Sequence, residues 1–359
     1  MSANSGKDSQ GFSQGRRSFL QNAGAIGAGA TLSHSLVAAA ESRDTLELTN
    51  TGKNDIPRKR FGRTNEHLSV IGLGGYNLGS APSLQEAVAI VHEAVDAGVN
   101  FCDNAWEYHD GKSETWMGQA LAGRRDKVFL MTKVCTHGRD KHVAMRQLES
   151  SLKRLRTDHL DLWQIHECVY DNDPERHFAK GGVVEALEEA KKSGKVRYVG
   201  FTGHKRPDIH LKMLSYGFPF DSAQMPLNAF DATFRSFQTH VLPEVNKRGM
   251  AGLGMKSLGG NGQPITQGVV TVAEALRYAM SLPVATTISG IDSLAVLRQN
   301  LAIARGFVPM SQEEMKTLSL RCQSAAGDGH LELYKSTMKY DGNLGRKLHG
   351  IPDNKELPL

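Results

Sequence analysis

From Leu68 onward, short apolar runs alternate with longer amphipathic stretches along the chain. The runs have the length of buried strands, and the stretches between them have helical spacing. For example, Leu148, Leu152 and Leu155 fall on one face of a helix. The pattern predicts eight strands, at 68–73, 99–103, 128–134, 160–166, 196–202, 222–225, 251–256 and 286–289. The helical patterns between them include 84–97, 144–155, 183–192, 237–248 and 272–280.

Strands that alternate with helices in this number fit a closed (β/α)8 TIM barrel of the α/β class. An open doubly wound sheet would usually carry G-x-G-x-x-G after its first strand. Gly72 and Gly74 match that motif, but Asn77 stands where the third glycine belongs. We therefore expect a single-domain barrel at 57–309, followed by a C-terminal helix and tail at 310–359. Thr271, with Glu274 three residues on, predicts a helix start, and Gly194 a helix end.

The first forty residues have the pattern of an export signal. Arg16 and Arg17 precede an uncharged stretch at 23–40 that ends in three alanines. A charged start, an uncharged middle and a small-residue end predict a cleavable signal peptide, and the paired arginines resemble the bacterial twin-arginine (Tat) signal. We expect export by the Tat machinery to the periplasm, no stable membrane anchor, and a flexible linker at 41–56. The alternative is a disordered Gly/Ala tail with a chance arginine pair.

Composition limits the function classes. The chain is 40% hydrophobic and 23% charged, with a formal net charge of +5 that falls to +3 without residues 1–40. Such a weak, dispersed charge does not indicate nucleic-acid binding. Four cysteines in 359 residues exclude a disulfide scaffold. Cys135 and Cys168 follow Lys133 and His166 by two residues each, which leaves open whether they form a disulfide or remain thiols.

Polar side chains follow three successive predicted strands. Asp103 ends the second and Tyr108 lies in the loop after it, Lys133 ends the third and His166 ends the fourth. Taken one at a time, each residue has a purely structural explanation. Asp103 and Lys133 suit a structural ion pair, and Tyr108 and His166 suit a loop aromatic and a core histidine. Together, at the carboxyl ends of barrel strands, they suit proton transfer to or from a carbonyl oxygen. An ammonium beside a phenol favours phenolate, so we expect Lys133 to lower the pKa of Tyr108.

The segment 103–121 resembles the aldo-keto reductase signature D-x-A-x-x-Y-G…E…L-G-x-A-L. It reads Asp-Asn-Ala-Trp-Glu-Tyr-His, followed by Glu114 and Met-Gly-Gln-Ala-Leu. Lys133 in F-L-M-T-K and a histidine in L-D-L-W-Q-I-H match the next two blocks. The resemblance implies a (β/α)8 fold, an NAD or NADP cofactor and a small-molecule carbonyl or alcohol substrate. It also implies a catalytic set in which a tyrosine is the general acid, a lysine and an aspartate tune it, and a histidine orients the carbonyl: Tyr108, Lys133, Asp103 and His166.

The same resemblance implies cofactor contacts at the later strand ends, which are Thr202, Gln224, Met255, Lys256, Ser257, Leu258, Gln299 and Asn300. Two positions depart from the family pattern, because Gly203 replaces an asparagine and Met255 replaces a stacking tyrosine. Gly290 and Val296 stand where NADP-binding members carry basic residues, and Asp292 adds a negative charge nearby. These positions supply no basic side chain to bind the 2′-phosphate of NADP, so the sequence favours NAD.

Substrate contacts are expected from loops near Tyr76, Asn77 and His137. An exported enzyme meets no free nicotinamide pool, so the sequence suggests a tightly bound cofactor and sugar-like substrates. The alternative is a nicotinamide-binding sensor or scaffold with little turnover. A metal-dependent hydrolase is disfavoured, because Lys133 would repel the ion, and no metal is expected.

Overall fold

Eight parallel strands close into a barrel in the computed structural model, which describes residues 47–135, 138–338 and 340–351. A separate antiparallel pair, β1 (Arg58–Arg60) and β2 (His67–Ser69), precedes it. The barrel strands are β3 (Ile71–Gly74), β4 (Phe101–Asp103), β5 (Phe129–Val134), β6 (Leu160–Ile165), β7 (Val196–Thr202), β8 (Ser222–Pro226), β9 (Ala251–Met255) and β10 (Thr286–Gly290). They follow one another in chain order around the barrel, and β10 pairs with β3 to close it. The predicted (β/α)8 architecture is confirmed.

The first predicted strand is wrong in extent, because the apolar run 68–73 belongs to two elements. Leu68 lies in β2, which pairs with β1 in a hairpin, whereas Ile71 begins the first barrel strand. Phe61 and Leu68 of the hairpin are buried with Phe101 and Phe129 inside the barrel. Phe101 and Phe129 are the first residues of β4 and β5. The hairpin therefore closes the amino end of the barrel and leaves its carboxyl end as the open mouth.

The helices cover the outside of the barrel and connect its strands. They are α1 (Gly75–Leu78), α2 (Leu84–Asp96), α3 (Lys112–Ala120), α4 (Lys141–Leu155), α5 (Asp173–Phe178), α6 (Val183–Lys192), α7 (Pro207–Ser215), α8 (Phe237–His240), α9 (Leu242–Lys247), α10 (Gln263–Thr266), α11 (Val272–Ser281), α12 (Leu294–Ala304), α13 (Gln312–Ala326), α14 (Leu333–Ser336) and α15 (Asn343–Leu348). Thr271 and Glu274 form the predicted capping box at α11. The predicted helix 237–248 is interrupted between α8 and α9, where Pro243 cannot donate a backbone hydrogen bond.

Residues 47–56, the described part of the predicted linker, contact the barrel domain. Thr49 exchanges two backbone hydrogen bonds with Arg58, each 2.9 Å long, and Ile56 is buried in the main core. The predicted signal peptide at 1–40 lies outside the described residues. Within the described ranges, no helix has both the length and the apolar character needed to cross a membrane.

The C-terminal segment continues beyond the barrel with α13, α14 and α15. Lys335 of α14 is fully buried and forms ion pairs with Asp231 (2.7 Å) and Glu332 (2.9 Å). Tyr334 donates a hydrogen bond to Glu332. These contacts hold α14 against the loop that follows β8, and they bring residues 340–344 to the barrel mouth.

Candidate active site

Lys133 lies at the centre of the polar cluster at the barrel mouth. Its ammonium nitrogen Nζ is 2.5 Å from Asp103 Oδ1, 2.7 Å from the carbonyl oxygen of Asn104 and 3.2 Å from the hydroxyl of Tyr108. The lysine is fully buried, and burial of a charge is costly unless it is paired. The ends of β4 and β5 therefore bring an aspartate, a lysine and a tyrosine together, as the strand pattern predicts.

His166 follows β6 and faces the same tyrosine. The rings of His166 and Tyr108 meet edge to face, with their centroids 5.6 Å apart. The histidine Nδ1 is hydrogen-bonded to the carboxylate of Glu107. The four residues that the sequence singled out for chemistry thus converge around one point, although nothing in the sequence pattern indicated the partner of the histidine.

The electrostatic effect on Tyr108 is the reverse of the expected one. Burial raises the pKa of this tyrosine well above its ordinary value of 10, and the charges of Asp103, Glu107 and Glu167 raise it further. The positive charge of Lys133 is largely offset by its own ion pair with Asp103. Tyr108 is therefore a protonated phenol at neutral pH, which suits a donor of a hydrogen bond and of a proton.

A cavity of about 960 Å³ opens above the cluster. Three residues of the cluster, Asp103, Tyr108 and His166, line its walls, whereas Lys133 is buried beneath them. Most of the predicted cofactor and substrate contacts line the walls as well. The predicted contacts found there are Tyr76, Asn77, Thr202, Gln224, Met255, Lys256, Ser257 and Leu258. The walls also carry residues that the sequence did not single out, which are Trp106, Glu107, Asp110, Arg154, Glu167, His204, Tyr340, Asp341, Asn343 and Leu344.

The wall formed by β8 and β9 fits a nicotinamide. The side-chain nitrogen of Gln224 approaches the sulfur of Met255 at 3.6 Å, whereas its buried oxygen Oε1 has no hydrogen-bond partner among the described residues. A buried polar oxygen without a partner is costly, so a group that donates a hydrogen bond to it would be stabilised there. A carboxamide NH₂ would satisfy it. The adjoining loop, with Gly260 and Gly262, presents backbone to the cavity, as a phosphate site requires.

Lys256 reaches the same cavity in an unusual conformation. Its backbone φ is +58°, a left-handed value that is uncommon for residues other than glycine. Its ammonium lies over the rings of Tyr334 and Tyr340, at 5.2 and 5.6 Å from their centroids. Burial lowers the pKa of Lys256 to about 8. The cavity thus holds a partly desolvated amine that an anionic group would stabilise.

Other predicted contacts lie elsewhere. Gln299 is exposed and lines a separate shallow groove with Ile303, whereas Asn300 is buried and donates a hydrogen bond to Ser289. Arg298, the nearest basic residue on α12, is engaged by both carboxylate oxygens of Glu93, at 2.8 and 2.9 Å. His137 lies outside the described residues.

The two cysteines near the mouth are Cys135 and Cys168. Both are buried, and no disulfide joins them. Burial raises the pKa of Cys168 well above its ordinary value, so this thiol stays protonated. Neither residue lines the cavity.

The C-terminal segment supplies a wall of the cavity that the sequence did not assign. Asp341 pairs with His204 at 3.4 Å and with Lys205, and it accepts a hydrogen bond from Tyr170 at 3.1 Å. The backbone N–H of the next residue, Gly342, donates to Glu167 at 2.7 Å. No local motif marks these residues, since they meet only because the chain end crosses the barrel mouth.

Comparisons with known proteins agree with this geometry. A model of the Aldo/keto reductase family matches residues 70–263. The "Uncharacterized oxidoreductase YqkF" of Bacillus subtilis is 26% identical over 303 residues, which cover 73% of this chain and 95% of that protein. The "6-dehydroglucose reductase" of Novosphingobium aromaticivorans is 27% identical, over 70% of this chain and 84% of that protein. A Klebsiella pneumoniae aldo/keto reductase, solved with NADP and acetate, has a similar fold, with a TM-score of 0.61 and 24% identity over 73% of this chain and 93% of that one.

Proposed function

The chain belongs to the aldo/keto reductase family of oxidoreductases, and on that premise we propose that it transfers hydride between a carbonyl and an alcohol with Tyr108 as general acid and base. One observation carries the proposal. Lys133 Nζ lies within 3.2 Å of the Tyr108 hydroxyl and 2.5 Å of Asp103, at the base of a large cavity that His166 also lines. A protein that only binds nucleotide has no need of this cluster.

The roles follow from the contacts. Tyr108 is protonated and donates its hydrogen bond, and then its proton, to a carbonyl oxygen bound above it. Lys133 donates to the phenolic oxygen and stabilises the charge that develops there as the proton leaves. Asp103 holds the lysine, and His166 contacts the substrate oxygen from the other side.

We propose that the cofactor is a nicotinamide dinucleotide, which supplies or accepts the hydride when bound. Gln224 would hold its carboxamide through the unpartnered Oε1, and the loop from Lys256 to Gly262 would hold its phosphates. We propose NAD rather than NADP, because the pair with Glu93 already neutralises Arg298 and because Gly290 lacks a basic side chain.

We further propose sugar-like substrates and a cofactor that stays bound through successive turnovers. The cavity wall combines carboxylates with aromatic rings, such as Glu107, Asp110, Trp106 and Tyr340, and sugars bind to such mixed surfaces. One relative is named for the reduction of a dehydroglucose. A retained cofactor would require one substrate to reduce it and another to oxidise it in turn.

Export by the Tat pathway to the periplasm is a proposal that rests on the paired arginines and on the alanines at 38–40. Its test is cell fractionation of the full chain beside a variant with Arg16→Lys and Arg17→Lys. We expect the first in the periplasm, shortened at its amino end, and the second in the cytoplasm at full length. Equal distribution of the two proteins would contradict the proposal.

The catalytic proposal is tested by purifying the protein from cells that have the Tat pathway, denaturing it and identifying the released nucleotide by mass spectrometry. Stoichiometric NAD(H) or NADP(H) supports a loaded redox enzyme and shows which dinucleotide it holds. A protein that releases none, and that also binds neither dinucleotide in a fluorescence titration, would overturn the proposal.

A second function, a nicotinamide-binding sensor or scaffold with little turnover, is favoured by the departures at Gly203 and Met255. The two functions differ in their dependence on the tyrosine. Nucleotide binding without any turnover that depends on the Tyr108 hydroxyl would support the sensor.

A further inference from the structure

The ammonium of Lys256 lies at the cavity without a charged partner. It lies over the rings of Tyr334 and Tyr340, at 5.2 and 5.6 Å from their centroids, and Lys256 lines the cavity wall. Among the described residues, its nitrogen Nζ forms no ion pair with a carboxylate and no hydrogen bond. The proposed function assigns the phosphates to the loop that begins at Lys256 and gives this ammonium no role of its own.

The surrounding structure holds this lysine in place. Its backbone φ of +58° is left-handed, and such strained residues cluster at ligand sites. The side-chain nitrogen of Asn228 donates hydrogen bonds to the backbone oxygen of Lys256 at 3.1 Å and to the hydroxyl of Tyr334 at 2.9 Å. Asn228 and Tyr334 are both fully buried. One amide therefore fixes the lysine backbone relative to a ring that its ammonium contacts.

Two carboxylates, Glu167 and Asp341, act on the charge of Lys256, and both are bound to other groups. Asp341 forms an ion pair with Lys205. Glu167 accepts a hydrogen bond from the backbone N–H of Gly342 at 2.7 Å, and burial raises its pKa to about 7, so its charge is incomplete at neutral pH. An ammonium that is partly removed from water without a full counter-charge is stabilised by an anion that reaches it.

The ammonium faces the side of the cavity where the substrate is expected. After burial, the charges of Glu167 and Lys133 have the largest effects on the pKa of Lys256. Lys133 contacts the hydroxyl of Tyr108 at 3.2 Å, and Glu167 directly follows His166 in the chain. The proposed function places these residues around the substrate carbonyl. An anion bound by Lys256 therefore belongs to the substrate rather than to the dinucleotide phosphates.

We propose that Lys256, with the rings of Tyr334 and Tyr340, forms an anion subsite that binds a carboxylate of the substrate, so that the protein prefers sugar acids to neutral sugars. The subsite rests on the proposed function, because it names the substrate class of the same cavity. An ammonium donates charge-assisted hydrogen bonds to a carboxylate, and these are stronger than hydrogen bonds to a neutral acceptor. A neutral sugar offers only hydroxyl groups at the same position.

The test is isothermal titration calorimetry of the purified protein at neutral pH with two probes, methyl β-D-glucuronide and methyl β-D-glucoside. The probes differ at a single carbon, which is a carboxylate in the first and a hydroxymethyl group in the second. The methyl group blocks the anomeric carbon, so neither probe has a free carbonyl that can be reduced. We expect the glucuronide to bind at least about tenfold more tightly, the usual contribution of a hydrogen bond to a charged group. Equal affinities, or no binding of the glucuronide, would overturn the proposal without any variant.

Three variants then test the role of the ammonium. In Lys256→Met we expect the preference for the glucuronide to disappear, whereas Lys256→Arg keeps a positive charge and should keep much of the preference. Lys112→Met is the matched control, because Lys112 also lies over an aromatic ring, that of Trp116 at 4.7 Å, but is exposed and does not line the cavity. The ratio of the two affinities within one variant cancels general changes in the cavity. A preference that persists in Lys256→Met, or that falls equally in Lys112→Met, would contradict the subsite.

The nucleotide content of the same preparations, measured by mass spectrometry, separates this proposal from the proposed function. A Lys256→Met protein that loses its dinucleotide but keeps the preference for the glucuronide would assign the ammonium to the cofactor phosphates and overturn the subsite. A protein that binds no nucleotide but prefers the glucuronide through Lys256 rejects the proposed function and supports the subsite. A nucleotide-loaded protein without the preference supports the proposed function and rejects the subsite.

Discussion

Gly203 lies directly against the backbone of Cys168. A Cβ at position 203 would be 2.3 Å from the carbonyl oxygen of Cys168 and 2.8 Å from His210 Cε1. Real Cβ atoms do not approach backbone oxygens so closely, and the loop after β6 cannot retreat, because Cys168 N donates to Thr202 O at 2.8 Å. The glycine that stands in place of the family's asparagine is therefore required by packing in this chain.

This contact predicts that Gly203→Ala destabilises the protein. Overpacking of a buried position typically costs about 1–3 kcal/mol, because neighbouring backbone must shift. The measurement is urea unfolding followed by circular dichroism. Gly254→Ala in β9 is the matched control, since its Cβ would meet ordinary contacts at 3.7 Å. Equal unfolding free energies of the two variants would show that the loop after β6 moves to accommodate the new Cβ without loss of stability.

Replacement of Tyr108 by Phe removes the hydroxyl that Lys133 contacts at 3.2 Å and keeps the ring. We expect oxidoreductase turnover to fall about 10²- to 10⁴-fold, the usual contribution of a general acid. Nucleotide content should stay near that of the wild-type protein, because Gln224 and the Lys256 loop are unchanged. Undiminished turnover in any redox assay would refute the assignment of Tyr108.

The buried ion cluster around Lys335 predicts a large loss of stability in Lys335→Met. The substitution leaves Asp231 and Glu332 as carboxylates without their ammonium partner, and a broken buried pair typically costs about 3–5 kcal/mol. Urea unfolding measures the loss, with Lys316→Met on the exposed side of α13 as the control. A loss no larger than that of the control would mean that α14 is not held by these charges.

Glu167 predicts a pH dependence of folding stability. Burial raises its pKa from the ordinary 4.5 to about 7, so between these values the folded protein holds a proton that the unfolded chain has released. Stability from this group is full below pH 4.5 and is lost as the pH rises through 7. Glu167→Gln keeps an acceptor for the Gly342 N–H without the charge.

The measurement is the difference in unfolding free energy between Glu167→Gln and the wild-type protein, at pH 5 and at pH 8. We expect the difference to move in favour of the variant as the pH rises. The single variant Glu313→Gln, at an exposed carboxylate in the first turn of α13, serves as the reference for nonspecific charge effects. A difference that does not vary with pH would place the ionised carboxylate in a solvated position.

The sequence alone was sufficient for the barrel and for the four residues of the polar cluster. Parallel strands in a barrel are buried on both faces, so each appears as a short apolar run, and the helices between them keep their own period. Asp103, Lys133 and His166 follow directly from this pattern, because every strand of the barrel ends at the same mouth. Tyr108 followed from its place in the motif.

Only the tertiary structure decided the surroundings of those residues. The pairing of Glu107 with His166, the hairpin inside the amino end of the barrel and the chain end across its mouth join residues far apart in sequence, and no periodicity records such contacts. The direction of the pKa shift at Tyr108 also depended on tertiary structure. The sequence supplied one lysine beside the phenol, whereas the sign was set by burial and by the carboxylates that the folded chain gathers around it.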